Sequence, residues 1–417
     1  MKQLVINGGN KLTGEIKISG AKNSVVALIP AAILSDEEVT LYNVPDISDT
    51  RALIDIIELL NGKVEYKDEV MKIDNKELEN KVIPEELSKK LRASYYFMGA
   101  LLAKYKYAEI YFPGGCNIGA RPIDFHIKGF EKLGAKVEIE GNKYIFKADK
   151  LKGAKIYLDF ASVGATINIM LAAVKAEGVT EISNAAKEPE IVNIATLLNN
   201  MGAKISGAGT SEIKIIGVDY LGKGVIDVIP DRIEAGTYAI AGALMGKDLV
   251  LKGIIEEHLE ALISKLKEMG IDLNIDHNKI KITRPEKLKS INVKTLVFPG
   301  FPTDLGQPMT VLLTQADGVS IFEETIWENR MGHIKYLQKM GANIRLNDKT
   351  AIVMGPTDLK GEEVVATDLR AGAAMVVAGL SASGTTIIND IEHILRGYEN
   401  IVEKLTAVGA DIKIIEK

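Results

Sequence analysis

The sequence predicts an α/β protein of two similar halves, each made of three β-α-β-α-β-β units with helices at the centre and sheets outside. Three observations carry this. A helix tail that ends in Gly and runs into strand-like alternation recurs at Leu60-Asn61-Gly62, Leu133-Gly134, Met201-Gly202, Met269-Gly270, Met340-Gly341 and Val408-Gly409, with Gly spacings of 72, 68, 68, 71 and 68 residues. Ala-rich segments in the units are apolar almost all round, and such helices belong inside a structure. The last unit stops after one strand, Asp411 to Ile415, and the opening residues look like its missing part: Leu4 to Gly8 then Lys11 to Gly14 reads like Ala351 to Gly355 then Asp358 to Gly361.

Taken in order, a unit begins with a strand and a polar loop that lead into an Ala-rich helix: Ser24 to Leu34, Tyr95 to Ala103, Thr166 to Ala176, Ala235 to Met245 and Ala371 to Leu380. A short strand, a second polar loop and a second helix follow. The closing Gly permits a left-handed residue without a Cβ clash, so the chain can reverse there. Hairpins come next, as in Ala135 to Lys147 and Ile271 to Ile282. The amino-terminal strands are expected to complete the sixth unit, closing the arrangement and removing a sheet edge. Two domains result, residues 21–229 and residues 1–20 with 230–417, with crossings near Lys223 to Asp231 and Ser19 to Ala21. A plain solenoid of repeats is the bland alternative.

Composition narrows the function. A formal charge of -5, from 51 basic and 56 acidic residues, offers no basic surface for nucleic acid or an anionic membrane. The longest apolar stretch near the start, Val25 to Leu34, is broken by Pro30 and is too short to span a bilayer. One cysteine forms no internal disulfide, which fits a reducing cytoplasm, and five scattered histidines give no zinc-ligand spacing. No cofactor and no metal are expected.

Arginine is scarce: nine, against 42 lysines. Seven of the nine fall in the two recurrent loops. Arg92, Arg232 and Arg370 stand where an Ala-rich helix starts, with Lys22 in the matching place of the first unit. Arg51, Arg121, Arg330 and Arg396 stand in the second loop. Guanidinium binds carboxylate or phosphate through two bonds, and helix starts add unpaired N–H groups and partial positive charge. Equivalent loops share one face of each domain, so two opposed faces would make an anion-lined cleft. Solvated caps and surface ion pairs are the other reading. Ser48, Asp49, Glu188, Glu190 and Glu328 either orient these cations or cap helices.

Pro113-Gly114-Gly115-Cys116-Asn117-Ile118-Gly119-Ala120-Arg121-Pro122 is the most unusual segment. A lone Cys is most often an inert buried hydrophobe. Here glycines make the loop pliable, and a cation five residues on favours thiolate, so Cys116 is read as a nucleophile or proton donor. His126 reads as a polar helix residue or a catalytic one. Asp231, Asp304 and Asp368 sit in the first loops of the last three units. Asp304, with no Arg beside it in sequence, is free to act as a base or serves as the cap of the helix beginning near Leu305. Ser162-Val163-Gly164 fills the same place in the third unit, where small residues let a ligand approach helix N–H groups.

These residues resemble a known family. Gly20-Ala21-Lys22-Asn23-Ser24, Leu91-Arg92-Ala93-Ser94, the Pro113 to Pro122 loop, Ser162-Val163-Gly164-Ala165-Thr166, Glu328-Asn329-Arg330 and Ala366-Thr367-Asp368-Leu369-Arg370 are similar to the enolpyruvyl transferases that act on UDP-N-acetylglucosamine. The likeness runs from the first strand to the last. It implies two inside-out, barrel-like α/β domains with the active site in the cleft between them. It also implies transfer of the enolpyruvyl group of phosphoenolpyruvate to the 3′-hydroxyl of UDP-N-acetylglucosamine, the first committed step of peptidoglycan synthesis, and a target for fosfomycin.

Carried over by position, Cys116 is implied as proton donor and adduct-forming thiol, and Lys22, Arg92, Arg121, Arg370 and Arg396 as the phosphate and carboxylate clamp. Asp304 would accept or direct the hydroxyl proton. Asn23, Arg121, Pro122, Ile123, Asp124, Phe125, Ser162, Val163, Gly164 and Ile326 would hold the sugar nucleotide. Phe160 stands where some members of the family carry Lys. The partners implied are the two small-molecule substrates. Rivals are the sister transferase acting on shikimate 3-phosphate, not expected to have the Gly-Gly-Cys loop, an RNA terminal-phosphate cyclase, at odds with the acidic balance, and a non-catalytic sugar-nucleotide binding protein, which needs no mobile thiol.

Overall fold

In the computed structural model, residues 2–90, 92–112 and 123–416 are described, with the Lys90 and Arg92 side chains outside that set. Cys116, Arg121 and Pro122 therefore lie outside the described residues. The described chain divides into two units, residues 20–112 with 123–229, and residues 2–19 with 230–416.

The unit of residues 20–229 is centred on three helices, Lys22–Ala32, Tyr96–Tyr105 and Val163–Ala173. Apart from first-turn and end residues their side chains are buried all round, as uniformly apolar helices must be. Two of them touch backbone to side chain: the Gly99 N–H donates to Asn168 Oδ1 at 3.0 Å, and a Cβ at Gly99 would lie 2.4 Å from the Asn168 carbonyl oxygen. Only glycine allows that approach. Amphipathic helices Ser48–Leu59, Asp124–Lys132 and Pro189–Asn200 cover the core with one apolar side each.

The unit of residues 2–19 and 230–416 repeats the plan. Arg232–Met245, Gly306–Leu313 and Leu369–Ser381 are its inner helices, and Glu260–Glu268, Ile334–Lys339 and Ile401–Ala407 its outer ones.

Each repeat owns one small sheet. In the third repeat the order is Lys204–Ser206, Glu212–Ile216, Val179–Ser183, Lys155–Tyr157, with antiparallel pairs except for the last, a parallel connector arriving from the preceding repeat. Two further pairings join distant parts of the chain. Gly224–Asp227 returns to pair in parallel with Glu38–Tyr42, Gly224 opposite Val39. Lys2–Asn7 inserts between Thr385–Asn389 and Asp411–Glu416, antiparallel to both, with Leu4 opposite Ile388 and Ile414. The amino-terminal strand thus completes the sixth repeat's sheet.

Two expectations change. The second amino-terminal strand, Leu12–Lys17, does not join the sixth repeat but pairs in parallel with Gly246–Lys252 of the fourth, as Gly224–Asp227 pairs with the first, so each connector stays in its own unit although the chain beyond it enters the other. The sheet edge expected to be removed also remains: among the described residues there are six open sheets, and Asp411–Glu416 lies at an edge. No described helix is long and apolar enough to cross a membrane.

Candidate active site

One charge cluster among residues 230–416 is built on the starts of buried helices. Asp231 and Asp368 are helix caps: Asp231 Oδ1 accepts from the Ile233 and Glu234 N–H groups at 2.8 and 3.0 Å, and Asp368 Oδ1 from those of Arg370 and Ala371 at 2.9 and 3.0 Å. These bonds satisfy N–H groups that a first helical turn leaves open. Asp304, in the Thr303–Leu305 turn, departs from that pattern and caps nothing. Its carboxylate is gripped by two guanidiniums instead, Arg330 Nη2 at 2.7 Å on Oδ1 and Arg370 Nη2 at 3.0 Å on Oδ2.

Both arginines are buried, with 4% and 5% of their side chains exposed, whereas a quarter of the Asp304 side chain meets solvent. Burial by itself pushes the Asp304 carboxyl up. The charges of Arg370 and Arg330 outweigh it and hold the group far below the usual carboxylate range. Arg370 is likewise held protonated: burial opposes its charge, and Asp304, Tyr398 and Asp231 together outweigh that cost. The expectation that Asp304 is a free base, made because no Arg adjoins it in sequence, is therefore corrected. Its partners are 26 and 66 residues away.

Residues not chosen from the sequence aim this cluster. Tyr398 accepts from Arg370 Nη1 at 3.3 Å, lies under its guanidinium at 5.7 Å, and bonds Thr237 Oγ1 at 2.8 Å. Gln307 Nε2 donates to the Arg330 carbonyl at 3.0 Å. Arg232 lies over the Phe298 ring at 5.5 Å. Arg396 is half-buried, one residue beyond the short Glu392–Leu395 helix. Tyr398 follows Arg396 by two residues, the one hint the sequence held. Ile326 is half-buried, and its N–H donates to Glu324 Oε1 at 2.8 Å.

Among residues 20–229, Lys22 opens its buried helix and pairs with Asp49, in the first turn of Ser48–Leu59, at 2.9 Å. Asn23 follows it, half-buried. Ser162 caps Val163–Ala173, its hydroxyl accepting from the Ala165 N–H at 3.3 Å. A Cβ on Gly164 would sit 2.8 Å from Tyr95 Oη and 3.0 Å from His126 Nε2, so glycine is needed for the packing there. His126 is 6% exposed and meets the Tyr95 ring edge-on, 5.3 Å between centroids. Ile123 is buried, and Asp124 and Phe125 open the Asp124–Lys132 helix half-buried. Phe160 is 45% exposed.

Arg51 does not belong to an anion-binding loop. It lies inside the Ser48–Leu59 helix, largely exposed, and holds Asp46 through Nε at 2.8 Å and Nη2 at 2.7 Å.

Three buried helices per unit, with outer helices and one small sheet to each repeat, form the architecture, and comparison with known proteins places it among the enolpyruvyl transferases. The EPSP synthase family (3-phosphoshikimate 1-carboxyvinyltransferase) matches residues 6–405. A solved enolpyruvyl transferase, NikO from Streptomyces tendae, is 26% identical with a TM-score of 0.90, covering 99% of each chain. EPSP synthase from Acinetobacter baumannii, 19% identical over 100% of both chains with a TM-score of 0.78, shares the fold.

UDP-N-acetylglucosamine 1-carboxyvinyltransferase 2 of Listeria monocytogenes is 54% identical over 98% of this chain and 97% of its own. Its namesake in Bacillus subtilis is 53% identical over 99% and 96%. The chain belongs to the enolpyruvyl transferase family, within its UDP-N-acetylglucosamine 1-carboxyvinyltransferase group.

Proposed function

We propose that this protein transfers the enolpyruvyl group of phosphoenolpyruvate to the 3′-hydroxyl of UDP-N-acetylglucosamine and releases phosphate. The observation that carries this reading is Asp304 between Arg330 and Arg370, an ionised carboxylate and two guanidiniums held together by direct contacts of 2.7 and 3.0 Å. Preset charge costs little reorganisation when a reaction develops charge of its own.

In the proposed reaction the sugar hydroxyl oxygen bonds to C2 of phosphoenolpyruvate while C3 gains a proton. Elimination then breaks the C2–O bond to phosphate and removes a proton from C3, restoring the double bond. Asp304, ionised at neutral pH, accepts a hydrogen bond from the attacking hydroxyl and takes its proton as the new C–O bond drains the oxygen of electron density. Cys116 is assigned the proton that C3 gains and, as the thiolate left behind, the proton that C3 gives up in the elimination. Lys22, Arg92, Arg121, Arg370 and Arg396 are assigned to the phosphate and carboxylate. Asn23, Arg121 to Phe125, Ser162 to Gly164 and Ile326 are assigned to the nucleotide sugar. A single cysteine that must stay reduced supports a cytoplasmic setting.

Phosphate release tests the proposal. Turnover is expected with UDP-N-acetylglucosamine and phosphoenolpyruvate. Turnover with shikimate 3-phosphate alone would assign the chain to the sister reaction. Labelling by fosfomycin is expected and should vanish in Cys116→Ser. Labelling that persists in that variant would move the reactive group elsewhere.

A further inference from the structure

Glu324 is 1% exposed, and among the described residues its carboxylate is held by hydroxyl and backbone N–H groups rather than by a cation. Burying a carboxylate is costly unless hydrogen bonds replace its water. Here they do. Oε1 accepts from Thr295 Oγ1 at 3.0 Å, the Ile326 N–H at 2.8 Å and the Trp327 N–H at 3.2 Å, and Oε2 accepts from Thr303 Oγ1 at 2.7 Å. Thr295 in turn accepts from the Thr325 N–H at 2.8 Å, so strand Asn292–Lys294 and the turn after strand Ala316–Glu323 are tied together at that point.

The two segments that Glu324 joins are the ones with assigned work. Thr303 precedes Asp304 in the same turn, and Ile326 is assigned to the nucleotide sugar. From this juxtaposition we infer that Glu324 is a positioning residue: through Thr303 it fixes the Asp304 turn, through the Ile326 and Trp327 amides it fixes the sugar-contacting turn, and so it sets the distance between the group that receives the proton and the backbone that holds the hydroxyl's sugar. The inference rests on the proposed reaction. Its two arms are separable because they use different oxygens of the carboxylate.

Thr303→Val removes only the Asp304 arm and keeps the side chain's shape, whereas Thr303→Ser keeps the hydroxyl. In steady-state phosphate release by the whole protein, Thr303→Val is expected to lower kcat about ten-fold with KM for UDP-N-acetylglucosamine within two-fold of wild type, since misplacement of a reacting group is felt in the chemical step. Thr303→Ser should restore kcat. Glu324→Gln, which retains one acceptor oxygen for the amides, should likewise act on kcat more than on KM. Equal kcat in Thr303→Val and wild type, or no rescue by Ser, would overturn the inference. So would a loss confined to thermal stability. If wild type itself releases no phosphate from the two substrates, it is the functional reading that fails.

Discussion

The helix starts of the two units use the same scaffold differently. Among residues 20–229 they carry Lys22 paired with Asp49 and a serine cap at Ser162, and Gly164 leaves room for Tyr95 and His126. Among residues 230–416 two starts are capped by Asp231 and Asp368, and the third gives its aspartate to two arginines. Repetition supplies six similar platforms, and the proposed reaction uses the one that departs from the repeat. Asp304 stands out because it omits the capping bond its counterparts make.

The sharpest break of this comparison is Asp304→Asn. Turnover should fall by about 10²–10⁴-fold, the usual worth of a general base, and the thermal midpoint should drop as well, because two buried guanidiniums lose their counter-charge. Wild-type turnover in phosphate release would reduce Asp304 to a structural ion-pair partner.

Gly164→Ala comes next. Its new methyl meets Tyr95 and His126 at about van der Waals-violating range, so chemical denaturation should show a loss of about 1–3 kcal/mol, with a raised KM for UDP-N-acetylglucosamine if Ser162 to Gly164 hold that substrate.

A smaller effect concerns Glu234, whose buried carboxylate accepts from the Ser19 N–H and Lys404 Nζ, both at 2.7 Å. Burial pushes it up to about 7 against the pull of Lys404. The folded state then holds a proton that the unfolded state releases, so this group's contribution is fully present below about 4.5 and declines as pH rises to about 7. Denaturation of wild type and Glu234→Gln across that range should show wild type losing ground steadily and then levelling off. Parallel curves would remove Glu234 from the account. The smallest effect is expected for Arg51→Ala: an exposed pair is worth about 0–1 kcal/mol, and turnover should stay as in wild type.

Much of the fold was legible because it repeats. The recurring Gly after a helix, the uniformly apolar Ala-rich segments and the matched chain ends each follow from local backbone and burial rules, and the hairpins at 136–147 and 272–283 formed where alternation placed them. The helix starts bearing Lys22, Arg232 and Arg370 were legible for the same reason. Arg51 misled because its partner Asp46, five residues back, satisfies it within one stretch of chain, and a scarce residue type does not reveal whether its charge is already spent.

What the sequence determined by itself, then, is what depends on neighbours along the chain: element periods, caps, turns and the count of repeats. Only the tertiary structure decided which charges meet. Asp304 finds Arg330 and Arg370, Glu324 finds Thr295 and Thr303, and Leu12–Lys17 chooses the fourth repeat over the sixth, each across a separation that local propensity does not encode. Electrostatic and hydrogen-bond energies are set by distance in space and by exclusion of water, and both exist only once the helices and sheets have packed.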